Sequence, residues 1–469
     1  MGNKAFMQHQ IGKEVTHGTP VIPTNLLTGK VTATPKCDVH WAQDHTGLLS
    51  ENTRSVITNK YTEVSYDGNM TFEQILYFLL MTVKRVNPVE GNPDAVLYWD
   101  GVDFSDYTTE VTDNNAGTHM PLDAMATTHY VYVGLGVKYG TVRVEMGANV
   151  NDIASVLSAE YSRGGGTWGP VTIEDTTGSD GKTFSQNGNI TIPTSAVPSD
   201  WAVDTVDTET HYWLRLKVSV QLSGTVDISE MRCAGPAYTW DFDPSLTSTN
   251  NQDSFTLRSG DDQEVRQTSY VIGKSLEISA KANDVAKLKA EMFAKDQVDS
   301  SFVSGLALPA VEDAASKKFK LYINDTWASL GSTQVLKTLL DLSLKINSGI
   351  SADDYCDGEL GFTSHSEGPR SMELEMTFGM NTTAKAERAK HEDPTRPLRF
   401  VRLEVEGSEF WETTKKKATF DFCGNYDDFG ALEESDSSTV VKVKMRSVYD
   451  PVSGKEFSAK VMDGVACVT

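Results

Sequence analysis

Alternation of apolar and polar residues with a period of two dominates this chain. From about residue 95 to 235 the runs are short: AVLYWDG, HYVYVGLGV, TVRVEMG, NITIP and HYWLRLKVSVQL, separated by Gly, Asp and Pro. Many short strands at this spacing, with no helix between them, predict an antiparallel β-sandwich. From residue 238 onward the runs YTWDFDP, SFTLRSG, YVIGKSLEISAKA, KKFKLYIND and LLDLSLKIN are extended as well. The stretch 286–295 tests the reading, because its Ala, Lys and Glu favour a helix. Ala286, Leu288, Ala290, Met292 and Ala294 nevertheless alternate with Lys287, Lys289, Glu291 and Lys295, which predicts a strand.

Two segments break the period. Residues 55–84 read as a strand, a turn at Asp67-Gly68-Asn69, and a helix capped by Thr71. In that helix Phe72, Ile75, Leu76, Leu79, Leu80 and Val83 recur at helical spacing, so it must be buried. A second, shorter and more polar helix is predicted at 382–391, ending before Pro394.

The order of elements suggests a duplication. The extended runs 39–51 and 342–353 each precede a strand and a helix. After the second helix come RFVRLEVEG, ATFDFCG and TVVKVKMRS; their expected counterparts are YTWDFDP, SFTLRSG and SLEISAKA, displaced by the 95–235 block. The expected organisation is therefore an N-terminal arm at 1–30, a first domain at 31–94 plus 236–305, an inserted sandwich at 95–235, and a second domain at 306–469. The fold class is mainly β, with two β-sandwich or half-barrel domains, each carrying one packed helix.

The chain has 469 residues and a net charge of −23, from 65 acids and 42 bases. Such a balance argues against a protein that grips nucleic acid through phosphate contacts. Five scattered cysteines form no CxxC pair, which suits a reducing compartment better than a disulfide framework and argues against a metal site. MGNKAFMQHQ lacks the apolar core of a secretory signal, and no apolar run reaches bilayer length. The protein is expected to be made and kept in the cytoplasm, or released without a signal.

No catalytic motif emerges: there is no GxSxG, HExxH or GxxxxGK[ST], and the nine histidines are dispersed. No cofactor and no enzymatic activity are expected. DTTGSD at 175–180 is acidic but lacks the spacing of a calcium loop. One pattern stands out in the strands. Glu373 and Glu375 oppose Met372, Leu374, Met376 and Phe378; Arg402, Glu404 and Glu406 oppose Val401, Leu403 and Val405; Asp421 opposes Phe420 and Phe422; Asp241 and Asp243 oppose Trp240 and Phe242. This face is either the ordinary wet side of a half-buried sheet or an acidic wall.

GTPVIPTNLL, SYDGNMTFEQILYFLLMTV, and YTWDFDPS followed by SFTL and YVIGKSLEISAKA resemble the tail tube (major tail) proteins of long-tailed bacteriophages, over roughly 300 residues. The insert, with FSDYTTEVT, TWGPVTIEDTT and HYWLRLKV, looks like β-sandwich modules of virion structural proteins. The resemblance implies a virion protein, assembled in the host cytoplasm, whose subunits join sheets into stacked rings around a β-barrel for DNA passage. Two tube folds per chain imply trimeric rings with pseudo-sixfold symmetry, with the tape-measure and other tail proteins as further partners. The acidic residues Asp241, Asp243, Glu373, Glu375, Glu404, Glu406 and Asp421 would line the lumen, where DNA passes without specific binding. The insert would sit outside, and the turn with Lys415, Lys416 and Lys417 would bridge to the next ring. Competing readings are a surface adhesin or carbohydrate-binding protein working through the 95–235 sandwich, and a β-sandwich hydrolase, for which no nucleophile or acid–base pair is evident.

Overall fold

The computed structural model describes residues 6–43, 52–113, 115, 117–193, 196–235, 238–411, 414–435, 438–465 and 468. The first stretch forms β1 (Gln8–Lys13), β2 (Asn25–Leu26), β3 (Lys30–Ala42), β4 (Arg54–Asn69) and α1 (Ile75–Thr82). The inserted block follows with β5 (Ala95–Trp99), β6 (Phe104–Asp106), β7 (Met120–Pro121), β8 (Tyr130–Leu135), β9 (Thr141–Met146) and β10 (Leu157–Ser162). It continues with β11 (Trp168–Val171), β12 (Glu174–Asp175), β13 (Gly188–Thr191), β14 (Val203–Val206), β15 (Glu209–Val218) and β16 (Asp227–Ala234). Beyond it lie β17 (Tyr238–Phe242), β18 (Phe255–Gly260), β19 (Val265–Lys281), β20 (Lys287–Ala294) and β21 (Val298–Asp299).

The last third opens with β22 (Phe319–Asn324), β23 (Gln334–Val335), β24 (Leu339–Asn347), β25 (Ile350–Asp353) and β26 (Ser364–Glu367). It closes with β27 (Ser371–Gly379), α2 (Thr382–Glu392), β28 (Arg399–Trp411), β29 (Thr414–Ser435), β30 (Ser438–Ser447) and β31 (Phe457–Asp463). The protein is mainly β, and its sheets are antiparallel.

Eight strands form one continuous layer in the order β3-β4-β20-β19-β24-β27-β30-β29. β19 and β29 are long and bend out of it. Their first halves join two further layers, β2-β1-β18-β19-β21 and β23-β22-β28-β29-β31-β17. The pairing pattern thus occurs twice: β1 to β4, α1 and β18 to β21 correspond to β22 to β24, β27, α2 and β28 to β31. Even a bulge repeats, since the register slips between Gly273 and Ser275 on β19 and between Tyr426 and Asp428 on β29. The apolar sides of these layers enclose one core, which includes Val64, Leu276, Leu344, Leu374 and Val443.

Several expectations need correction. Within the expected arm at 1–30, the described residues 6–30 are not loose: β1 pairs along its whole length with β18, and Gln10 to Gly12 are buried. Asp67-Gly68-Asn69 is not a turn, because β4 continues through it, paired with β3 and β20. Gly68 serves close packing instead: a Cβ there would sit 2.6 Å from the Tyr66 hydroxyl. The duplication is also shifted by one strand from the expected correspondence. β18, β19 and β20 match β28, β29 and β30, whereas β17, assigned to the first domain, pairs with β31 in the second. The run 39–51 falls partly in β3, and its residues 44–51 lie outside the described residues.

The two helices cover the sheet differently. Every residue of α1 is buried, and the Thr71 hydroxyl accepts from the Gln74 N–H as it starts. Gly273 on β19 lets it approach, for a Cβ there would collide with Thr82. The corresponding position on β29 is Tyr426, whose ring holds α2 off the sheet. Its hydroxyl donates to Glu387 (2.7 Å), which also accepts from Arg399 Nε and Nη2 at 2.8 and 2.7 Å. The more polar helix therefore rests on a buried polar network. Asn381 caps it by accepting from the Ala384 N–H, and Asp393 ends it before Pro394.

Residues 95–234 form a two-layer sandwich, with β11-β10-β15-β8-β5-β6 facing β12-β13-β9-β16-β7 around its own core. Its two ends meet where Gly91 and Cys233 exchange backbone hydrogen bonds of 2.8 and 2.7 Å.

Candidate assembly surfaces

On the wet face of the eight-stranded layer, one cross-strand row reads Lys30, Asp67, Lys289, Glu277, Lys345, Glu373, Arg446. The charge alternates at every step. Opposite charges directly across a pair of strands are favourable, by about 0.2–1 kcal/mol each.

The seven acidic residues expected on one wall are divided between two layers. Only Glu373 and Glu375, on β27, belong to the eight-stranded layer, and Lys444 reaches them at 3.0 and 3.2 Å. Four of the other five, Asp241, Asp243, Glu404 and Asp421, line a groove on the layer of β28, β29, β31 and β17, and Glu406 lies in a neighbouring depression beside Lys320 and Lys415. There Asp421 takes a two-pronged bond from Arg402 (2.6 and 2.7 Å), and Glu404 takes Lys417 at 2.6 Å. Glu406 takes Lys320 at 2.6 Å, Asp241 takes Lys460 at 3.1 Å, and Asp243 is paired with Lys455. Each acid faces a cation, so neither group makes an acidic wall. Lys415, Lys416 and Lys417, expected in a turn, lie in β29 paired with β28, and Lys416 meets Glu73 and Lys417 meets Glu404, each at 2.6 Å, leaving no free basic triplet for a neighbouring ring.

The two outer strands of the continuous layer, β3 and β29, are its edges. Among the described residues, the second half of β29, from Asn425, pairs with β30 alone, and β3 pairs with β4 alone. Unpaired edges of this length invite another strand. Beyond the layer, β3 and β4 run on as a projecting ribbon in which Val39, Trp41, Val56 and Ile57 are exposed. Its counterpart in the second copy, residues 348–370, does not project. That segment folds onto the first copy: Phe362 is buried against Tyr270 and Phe293, and the Ser348 hydroxyl donates to the Gly273 carbonyl at 2.8 Å.

The sandwich carries aromatic residues on the outside of one sheet, but the Arg215 guanidinium lies 4.5 Å from the Tyr130 ring and 4.3 Å from the Trp168 ring. Those faces are taken. Asp175 accepts from Thr177 and Thr183, which makes the DTTGSD segment a self-bonded turn. Among the described residues no cluster of His, Cys, Asp and Glu has the makings of a metal site, and no helix is long and apolar enough to cross a membrane. Cys37, Cys233, Cys356 and Cys423 are free thiols; Cys467 lies outside the described residues.

No protein-family profile matches the chain, and no characterised protein matches it in sequence. A solved structure of a truncated AlyQ with CBM32 and alginate lyase domains aligns over 80% of this chain and 97% of its own, at 10% identity and a TM-score of 0.22. At that score the likeness carries no argument about fold or ligand.

Proposed function

We propose that this protein is a structural subunit of a phage tail tube, in which chains join their eight-stranded layers into closed, stacked rings. The observation that carries this reading is the junction inside the chain. β19 of the first copy pairs edge to edge with β24 of the second, and among the described residues the corresponding edges of β29 and β3 have no strand beside them.

The stagger of the layer favours closure. Following the charged row from Lys30 across one copy leads to Lys345, whose counterpart in the first copy is Thr34. The row climbs four residues over four strands, from 30 to 34. A shear equal to the strand number is the relation found in closed barrels whose strands tilt about 36°. Three chains would contribute twenty-four strands, in keeping with the resemblance to tube proteins.

The wet face would then line the channel. Its alternating charges neutralise one another locally and offer no run of Lys and Arg to hold a polyanion, so DNA would pass without being gripped. In this reading the protein is not an enzyme, works in the virion after assembly in the host cytoplasm, and meets the tape-measure protein inside the tube. The sandwich, with its own core and adjacent ends, decorates the outside.

Negative-stain imaging of the purified protein tests this. Rings or tubes with a central channel are expected; a protein that stays monomeric at high concentration overturns the proposal.

A further inference from the structure

The internal junction specifies more than which edges meet. It gives a residue-by-residue template. On β19 and β24 the pairs are Ser275 with Asn347, Leu276 with Ile346, Ile278 with Leu344, and Ala280 with Leu342. Each of these positions has a counterpart fixed by the shared pairing to β20 and β4, or to β30 and β27. Ser275, Leu276, Ile278 and Ala280 correspond to Asp428, Phe429, Leu432 and Glu434. Asn347, Ile346, Leu344 and Leu342 correspond to Lys36, Pro35, Ala33 and Val31.

We propose that the β29 edge of one chain receives the β3 edge of a second copy of this chain in that register, with Asp428 opposite Lys36, Phe429 opposite Pro35, Leu432 opposite Ala33 and Glu434 opposite Val31. The ring in the preceding section depends on the same edges, and the register is the new content.

Three observations carry it. The first is burial. Leu432 is 53% exposed, whereas its counterpart Ile278, which has its partner strand, is 1% exposed; Pro35 is likewise exposed where Ile346 is sealed. An apolar residue left open on an edge, at a position the other copy buries, marks a missing strand. The second is charge. The β29 edge bears Asp427, Asp428, Glu433 and Glu434, all exposed, and β3 supplies Lys30 and Lys36. In the proposed register Asp428 meets Lys36 directly. The third is an acceptor already in use. Inside the chain the Gly273 carbonyl takes the Ser348 hydroxyl. The corresponding Tyr426 carbonyl takes Arg396 of its own chain, and the counterpart of Ser348 is the exposed thiol of Cys37. Arg396 thus occupies the place a partner would fill. Pro35 lacks an N–H, so one rung of the ladder has no donor.

Cross-linking reads the register. In a background of Cys37→Ser, Cys356→Ser and Cys467→Ser, the pair Lys36→Cys with Asp428→Cys places two thiols directly opposite each other, within disulfide reach. Lys36→Cys with Glu434→Cys sets the second thiol opposite Val31, five residues from Lys36 and roughly 17 Å along the strand. Mild oxidation should link the first pair into covalent oligomers ending at a closed species, with roughly tenfold more product than the second pair. Rings that form normally by microscopy but link at the offset pair, or at neither, overturn the register while leaving the tube reading intact. Failure of both variants and of the unsubstituted protein to form any assembly overturns both.

Discussion

The Phe362 ring stands 5.0 Å from that of Tyr270, and Phe362 is sealed from solvent although it belongs to a connection between two strands of the second copy. A loop residue of one copy thus seals an aromatic contact on the other, between Tyr270 and Phe293. Phe362→Ala should cost about 3 kcal/mol, the usual toll for emptying a buried aromatic site. Denaturant titration should show that loss in the body of the protein, with the sandwich transition unmoved.

Glu387 is the hub of a buried network, bound by Arg399 and Tyr426 and packed beneath α2. Glu387→Ala strands the Arg399 guanidinium without its main partner, which should destabilise by about 3–5 kcal/mol. Glu387→Gln keeps the acceptor but not the charge and should cost less. Thermal unfolding of the pair of variants, side by side, reads the difference.

Asp463 is fully buried; burial pushes its carboxyl well above the usual range, against a hydrogen bond from the Val465 N–H. A raised pKa in the folded state means the protonated form is favoured there. Its stabilising contribution is full below the unfolded value of about 4 and is lost as pH climbs toward the folded value. Asp463→Asn should therefore gain stability over the parent as pH rises from 4 to 8, with little difference at pH 4. Chemical denaturation at several pH values checks this.

Glu373 and Glu375 share Lys444, and Arg446 stands across from Glu373. The double change Glu373→Lys with Glu375→Lys would cluster five cations on the wet face, the two new lysines with Lys345, Lys444 and Arg446. Because these pairs are partly exposed, the fold should lose only about 1 kcal/mol. Affinity for duplex DNA should appear at low salt and fall steeply as salt is added, measured by gel shift across an ionic-strength series.

The sandwich has a core of its own, and its ends are pinned together at Gly91 and Cys233. Residues 94–235 expressed alone should fold and unfold cooperatively, and the remainder closed by a short Gly-Ser linker should keep its thermal transition. Calorimetry of the two pieces against the whole chain tests both.

Period-two alternation was enough to find many of the strands, even at 287–294, where Ala, Lys and Glu argue for a helix. It also found which side of each strand is wet. Which strands lie next to one another is a different kind of fact. Glu373 reads as acidic along the chain, yet its neighbours Lys345 and Arg446 come from strands 28 and 73 residues away. Local composition cannot display a cross-strand partner, so an alternating row looked like a wall of one sign. The same holds for Gly68, whose turn-like flanks hide a packing role imposed by Tyr66. β1 was missed because HQIG carries little alternation of its own and owes its place to β18.

Gly273 and Tyr426 occupy one structural position with opposite side-chain demands. Two separate subunits encoded by one gene would have to compromise on that residue, since every substitution would appear in both places at once. Covalent fusion lifts that constraint. One half was free to bring a helix hard against its sheet and to accept a large additional module, while the other kept a polar, looser covering. The two halves always arrive in equal numbers, so specialisation proceeds without any machinery to sort them.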